Sequence, residues 1–269
     1  DWALAHRAEI WRYRNGEWQR VHQAGIYDFP GYTSPAITIP AGKYPEAYSY
    51  RTLGTFNGHI YALGVGTWMP PMANTTILRS DTGDPGDWVN VTGNLWNTTN
   101  IRSFVQWRDH VYVAVAPSGG GPVGAGGGVV YRKNNDESIG VIWAPVSEVG
   151  FGDEENTEIN YLQVFNDCLY ASTVNYVTGL EVWKTCGEMT NDNKFVWTPV
   201  IKDGFGDTWC QSGLTMEPLG DYLYVGTAVP IGMVLKDQQP VGSRAIDIIR
   251  IDKNDNAELV VGAYFPVDP

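Results

Sequence analysis

Recurrence constrains this chain more than any other property. "VIWAPVSEVGFGD" closes at Asp153 and "VWTPVIKDGFGD" closes at Asp207, 54 residues further on. Around these copies two kinds of segment alternate. One is strand, short polar turn, strand: "LGTFNGHIYALGVG", "FVQWRDHVYVAVA", "LQVFNDCLYASTV" and "MEPLGDYLYVGTA", whose marker tyrosines Tyr61, Tyr112, Tyr170 and Tyr224 are 51, 58 and 54 residues apart. The other, as in "TILRSDTGDPGDWVNV" and "EVWKTCGEMTNDNKFVWTPV", carries a basic residue at one fixed place: Arg12, Arg79, Arg132, Lys184 and Arg250. Apolar residues alternate within each segment and Gly, Asn and Asp punctuate them, a pattern of antiparallel strands rather than helices.

Four strands returning every 51–58 residues predict the blades of a β-propeller. With strands named A to D from a central channel outward, the chain holds four A–B pairs and five C–D pairs. "DWALAHR" stands in for the first blade's B strand, and the tail "VVGAYFPVDP" for its A strand. The expectation is an all-β, five-bladed β-propeller of four-stranded antiparallel blades. It forms a single domain over residues 1–269, closed by joining the N- and C-terminal segments. The alternative is a piece of a larger propeller or multidomain protein.

The C–D hairpins "RSDTGDPGDW" and "YRNGEW" resemble degenerate Asp-box hairpins of the sialidase (BNR) type, and the whole unit is similar to repeats of secreted microbial propeller proteins. The Asp-box aspartate is recognisable only at Asp81. The resemblance covers nearly the entire chain; it implies an architecture and an extracellular or periplasmic location, not an activity.

Bulk properties narrow the partners. With 18 basic and 30 acidic residues the net charge is −12, a field that repels a phosphate backbone, so nucleic acid is not an expected partner. No run of eighteen apolar residues exists to insert in a membrane. The opening "DWALAHRAEIW" lacks the regions of a signal peptide, as a processed chain or a fragment would. Cys168 begins a B strand and Cys186 follows the C strand of the same blade, adjoining points that predict a disulfide. Cys210 is left as a buried thiol. Glycosylation sequons stand at Asn74, Asn90 and Asn97.

The site expectations follow from the blade scheme. "GFGD" reads as the connection from strand D to the next strand A: Gly permits the turn, Phe packs between blades and Asp bonds the local backbone. A Ca2+ site using Asp153 and Asp207, with Glu154 near by, is the alternative. The A–B turns are minimal, while the B–C and D–A loops hold the irregular length, so binding is expected on that face. Aromatic residues cluster there: Tyr27, Tyr32, Trp68, Trp96, Tyr176 and Trp209.

At the channel mouth the aligned positions are Arg51, Arg102, Asn160 and Leu214, with Ser49, Asn100, Glu158 and Ser212 two residues earlier. Two equivalent arginines make a fork for a carboxylate or sulfate; internal salt bridges to Asp28, Glu46 or Glu158 are the structural alternative. The five strand-C cations, present in every blade, serve the fold.

The leading expectation is an extracellular propeller that binds a glycan, an acidic one if the arginine fork holds, or a surface protein. One alternative is a glycoside hydrolase or polysaccharide lyase with Glu158 as acid and Asp28, Glu46, Asp153 or Asp207 as its partner. The other is a structural surface-layer or scaffold module. No nucleotide-cofactor motif is present.

Overall fold

A computed structural model describes residues 7–33, 38–65, 75–95, 100–116, 127–229, 234–236, 239–242 and 246–262. Of the proposed closing segments "DWALAHR" and "VVGAYFPVDP", residues 1–6 and 263–269 lie outside these residues, as do Trp68, Trp96, Asn74 and Asn97; of Tyr32 and Asn100 only the backbone is described. The described residues are strands joined by turns and three short 3-10 segments.

The first repeat contributes a hairpin, β1 (Glu9–Arg14) with β2 (Glu17–Gln23). An arm follows, in which β3 (Ile26–Phe29) pairs with β6 (Gly42–Pro45) around the small hairpin of β4 (Tyr32–Thr33) and β5 (Thr38–Ile39). The second repeat is the antiparallel meander β7 (Ser49–Phe56), β8 (His59–Val65), β9 (Thr75–Ser80) and β10 (Val89–Asn90). The third is β11 (Asn100–Trp107), β12 (His110–Ala116), β13 (Val129–Lys133) and β14 (Trp143–Pro145). The fourth is β15 (Asn156–Phe165), β16 (Cys168–Asn175), β17 (Val182–Thr185) and β18 (Thr198–Ile201). The fifth comprises β19 (Ser212–Leu219), β20 (Tyr222–Ala228), β23 (Ile248–Asp252) and β24 (Ala257–Val261), with the ribbon β21 (Val234–Lys236) and β22 (Gln239–Gly242) inserted.

Two compact units result. One holds residues 1–112, 117–124 and 132–144; the other holds 113–116, 125–131 and 145–269. In the first, Ile10 and Val21 of the leading hairpin pack with Ala62 and Leu78 of the second repeat. In the second, Tyr170, Leu180, Val182 and Ile201 of the fourth repeat share one core with Met216, Leu223, Val225 and Ile249 of the fifth. Cys168 and Cys186 are disulfide-bonded across β16 and the end of β17, as their antiparallel adjacency requires.

The repeated motif is a left-handed turn. Gly150, Phe151 and Gly152 have φ of 56, 58 and 90°, and Gly204, Phe205 and Gly206 have φ of 61, 59 and 86°. Glycine adopts this region freely, whereas phenylalanine does not. Packing holds Phe151 there: its ring stacks on Trp183 at 5.1 Å and tilts on Trp197 at 4.9 Å in the next repeat. Asp153 and Asp207 each accept the backbone N–H two residues on, from Glu155 at 2.9 Å and Trp209 at 3.0 Å.

The strand-C cations reach the C–D turn of the following repeat: Arg12 to Asp84 at 2.6 Å, Arg79 to Glu137 at 2.7 Å and Lys184 to Asp255 at 2.7 Å. Arg250 pairs instead with Glu258 of its own hairpin.

The turn resembling an Asp-box is organised by Asp87, with Asp81 in a different role. One Asp87 carboxylate oxygen accepts from Ser80 Oγ at 2.7 Å, the N–H groups of Asp81 and Thr82 at 2.8 and 2.7 Å, and Thr82 Oγ1 at 2.9 Å. Asp81 faces His59 Nδ1 at 2.7 Å. The Ser80 hydroxyl first, then the Thr82 and Asp81 donors, hold the Asp87 carboxyl down at about 2. Because this value lies below the unfolded one, the stabilisation is complete above the ordinary carboxylate range and is lost as pH falls through about 2. Asp87→Asn is therefore expected to lower the urea midpoint at pH 7. The difference from the parent should shrink as pH falls from about 4 to 2, which urea melts along that series would check.

Candidate functional site

Junctions between repeats share a backbone signature, and one of them keeps it while replacing the turn and side chains around it. Gly128 N–H donates to Asn156 O and Leu180 N–H donates to Cys210 O; Ala8 N–H donates to Ala47 O in the same way. Gly150 N–H and Gly204 N–H then return to Gly128 O and Leu180 O, and Ala24 N–H returns to Ala8 O. Ala24-Gly25 thus occupies the place of Gly150-Phe151 and Gly204-Phe205. In place of a Gly-Phe-Gly-Asp turn, the first junction carries the β3–β6 arm.

The side chains change with it. At the fourth repeat Asn156 donates to Gly150 O at 2.9 Å and to the buried carboxylate of Glu181 at 2.6 Å, which Trp183 Nε1 also reaches at 2.8 Å. At the fifth, Cys210 Sγ faces Asp247 at 3.7 Å, and burial pushes this thiol up to about 12. At the second repeat the corresponding residues are the smaller Ala47 and Thr76, packed around Gly64. Opposite them Gly25 has no side chain, and a Cβ there would stand 2.6 Å from Glu46 Oε2. The Glu46 carboxylate thus lies against the position where the other two junctions carry a phenylalanine.

A cleft of about 580 Å³ opens here, lined by Tyr27, Asp28, Phe29 and Pro30 of the arm, Glu46, Thr75 and Thr76, and Asn90, Thr92 and Gly93 after β10. Every one of these comes from a B–C or D–A connection or its flank, the strand ends where the sequence places a binding face. Asp28 pairs with Lys43 at 2.9 Å across the arm, both side chains solvent-exposed. Among the described residues the Glu46 carboxylate has no hydrogen-bond or ion-pair partner, and the Tyr27 hydroxyl is buried without a hydrogen bond. Burial, with Tyr48 and Tyr44 near by, raises the Tyr27 phenol above its ordinary range, so it remains a donor at neutral pH. Asn90 of the sequon accepts the Thr92 N–H at 2.9 Å.

The other anticipated site residues lie elsewhere. Arg51 falls at a register break in β7, as Asn160 does in β15 and Leu214 in β19, so the aligned channel-mouth positions are equivalent bulges. Arg51 and Arg102 both have interaction partners within the protein. Asn160 is buried and donates to Ser212 Oγ at 2.9 Å and Gly213 O at 3.2 Å, fastening the fourth repeat to the fifth. Glu158 is 4% exposed. Tyr176 and Trp209 are half-buried near the Asp207 turn, where the Tyr176 carbonyl accepts from Gln211. Among the described residues no three His, Cys, Asp or Glu side chains converge as metal ligands, and the Asp153 and Asp207 carboxylates serve their turns. The signal that would have singled out Gly25 is its alignment with Phe151 and Phe205, which the intervening arm hides.

No family model and no curated protein sequence matches the chain. Solved structures similar to it include an alpha-L-arabinanase of Cellvibrio cellulosa complexed with arabinohexaose, 12% identical over 78% of this chain and 77% of that one, with a TM-score of 0.40. A Bacteroides ovatus protein described as Xyloglucan PUL GH43B is 13% identical over 81% of this chain and 40% of its own, with a TM-score of 0.41. A xylan beta-1,4-xylosidase of Bacillus halodurans is 12% identical over 80% and 42%, also with a TM-score of 0.41.

Gly25→Ala tests the cleft's construction. The new methyl meets the end of a flexible side chain, so Glu46 must swing away. Stability is expected to hold or rise by up to about 1 kcal/mol, as for glycine replacements at unstrained positions, while ligand affinity at the cleft falls about tenfold. Thermal melts and ligand titration of the same variant check both halves.

Proposed function

We propose that the chain is a secreted, five-bladed β-propeller that handles a glycan in the cleft between the arm and the second repeat. The observation that carries this reading is the pairing of an unpartnered carboxylate, Glu46, with a buried unpartnered hydroxyl, Tyr27, in a concavity of the size that ligand sites have. Sugar hydroxyls satisfy such groups two at a time, and the Tyr27 and Phe29 rings offer faces to the C–H surface of a pyranose or furanose. Asp28 and Glu46 leave the lining acidic, which favours a neutral glycan over a uronate or sulfate. The disulfide suits an oxidising compartment.

A second reading, hydrolysis, rests on the same two carboxyl groups, since glycosidases use a pair flanking the scissile bond. Of the two, Glu46 is the candidate acid, being sheltered, whereas Asp28 is exposed and ion-paired.

Native mass spectrometry with neutral, uronate-bearing and sulfated oligosaccharides separates these readings. An intact neutral sugar retained by the parent and weakened at least about tenfold by Glu46→Gln is the expected result. Shortened sugar, abolished by the same substitution, makes the protein a hydrolase. Retention that is indifferent to Glu46→Gln and Gly25→Ala removes the cleft as the site, and passage of every sugar unbound removes the glycan reading.

A further inference from the structure

We infer that the opposite strand ends of repeats 2 and 3 carry a second, smaller saccharide-binding cleft, independent of the one beside Glu46. A concavity of about 320 Å³ lies between the A–B turns of these two repeats and the C–D turn of the third. Its lining combines Asn57 and Phe56 with Asp109, Gln106 and Asn135, over a floor formed by Arg79, Lys133 and Glu137.

The floor is what sets this junction apart. Elsewhere one strand-C cation meets one acid of the next turn, as in Arg12 with Asp84 and Lys184 with Asp255. Here Glu137 is shared, taking two bonds from Arg79 Nη1 at 2.7 and 2.9 Å and a further one from Lys133 Nζ. Lys133 is 5% exposed, at a position occupied by Tyr13, Ser80, Thr185 and Ile251 in the other repeats. Arg79 Nε is buried without a hydrogen bond and forms a long ion pair with Asp81 at 4.0 Å.

The chemistry that fits is a neutral polyol. The two cations are balanced by Glu137 and Asp109, so no net charge calls for an ion. What remains unused is an acceptor beside a group that both donates and accepts: the Asp109 carboxylate and the Asn57 amide, neither with a side-chain partner among the described residues. Vicinal hydroxyls bridge a carboxylate and an amide in this way, each serving at once as donor and acceptor. The Phe56 ring supplies an apolar wall for the sugar's C–H face. The volume lies at the small end of ligand sites, suited to a short saccharide.

The test is a titration of the 15N-labelled protein with xylose, galactose and cellobiose, followed by NMR at the Asn57, Gln106 and Asn135 side-chain amides. Saturable shifts there are expected for at least one sugar. Asp109→Ala should weaken that response at least about tenfold without moving the response at Asn90 in the first cleft. Asn57→Gly, which keeps the left-handed turn (φ 47°) while removing the amide, should do the same. Neither variant touches the Arg79–Glu137–Lys133 floor, so thermal midpoints should match the parent. If these amides stay unmoved by every sugar, or if the Gln106 and Asn135 amides respond in both variants as strongly as in the parent, the second cleft is overturned. Glu46→Gln affects only the first cleft, so the two sites stand or fall separately.

Discussion

A four-stranded meander has two faces and covers neither by itself, so each repeat of this chain depends on the one that follows it. The junction is built from three layers of interaction, and their magnitudes decide which one holds the structure. Cations of strand C meet acids of the next turn, but these pairs are partly exposed: Arg79 is 22% and Glu137 30% accessible. Pairs of this kind contribute about 1 kcal/mol or less. Burial of side chains such as Leu169, Leu180, Met216 and Leu223, all at 0% exposure, contributes more, about 1.5–3 kcal/mol each. The third layer is the backbone signature linking Gly128 with Asn156 and Leu180 with Cys210. It adds little net energy per bond, but it fixes register. The hydrophobic faces supply the stability; the ion pairs and backbone bonds determine how one repeat is set upon the next.

That division of labour explains where the larger cleft arises. A junction whose register is held by backbone bonds tolerates a change of side chains, and the first junction exploits this. It keeps the Ala8–Ala47 and Ala24–Ala8 bonds but replaces the left-handed Gly-Phe-Gly turn with Gly25 and an inserted arm. At the fourth repeat Asn156 and Glu181 fill the corresponding space, and at the fifth Cys210 and Asp247 do. Ala47 and Thr76 leave it partly empty. The opening is thus a local subtraction from a repeating scheme, made without disturbing the bonds that set the scheme.

Much of the fold was legible because a repeat prints the same physical requirement several times. The marker tyrosines and the strand-C cations located the meanders of repeats two to five and the leading hairpin, and the role given to Gly-Phe-Gly-Asp matches the observed turn. Reading a single hairpin was less secure. The resemblance to an Asp-box singled out Asp81, whereas Asp87, later in the same turn, gathers the four donors. Side-chain acceptors of that kind are found by geometry, and two aspartates six residues apart offer the same chemistry in sequence. The elaborated strand ends were likewise readable from loop length, and Asp28 and Glu46 stood among the candidate acids. The smaller cleft was hidden because its turns are minimal. Only Lys133, charged where the other repeats are not, marked it.

Charge also bears on which ligands the two proposed clefts would take. Among the described residues Arg12, Arg20, Lys43, Arg79, Lys133, Lys184, Lys194, Lys202, Arg250 and Lys253 are committed to ion pairs within the chain. Arg51 and Arg102, the pair expected to grip an anionic sugar, also have partners inside the protein. An anionic ligand drawing on one of the ion-paired cations would leave a carboxylate behind, and would do so against a net charge of −12. A neutral ligand pays neither cost. It needs only hydroxyls to meet the groups left over, and those are Glu46 and Tyr27 in one proposed cleft, Asp109 and Asn57 in the other. The net charge of −12, which repels a phosphate backbone, therefore also argues for uncharged sugars over uronates, because the cations that set the repeats in place are already paired.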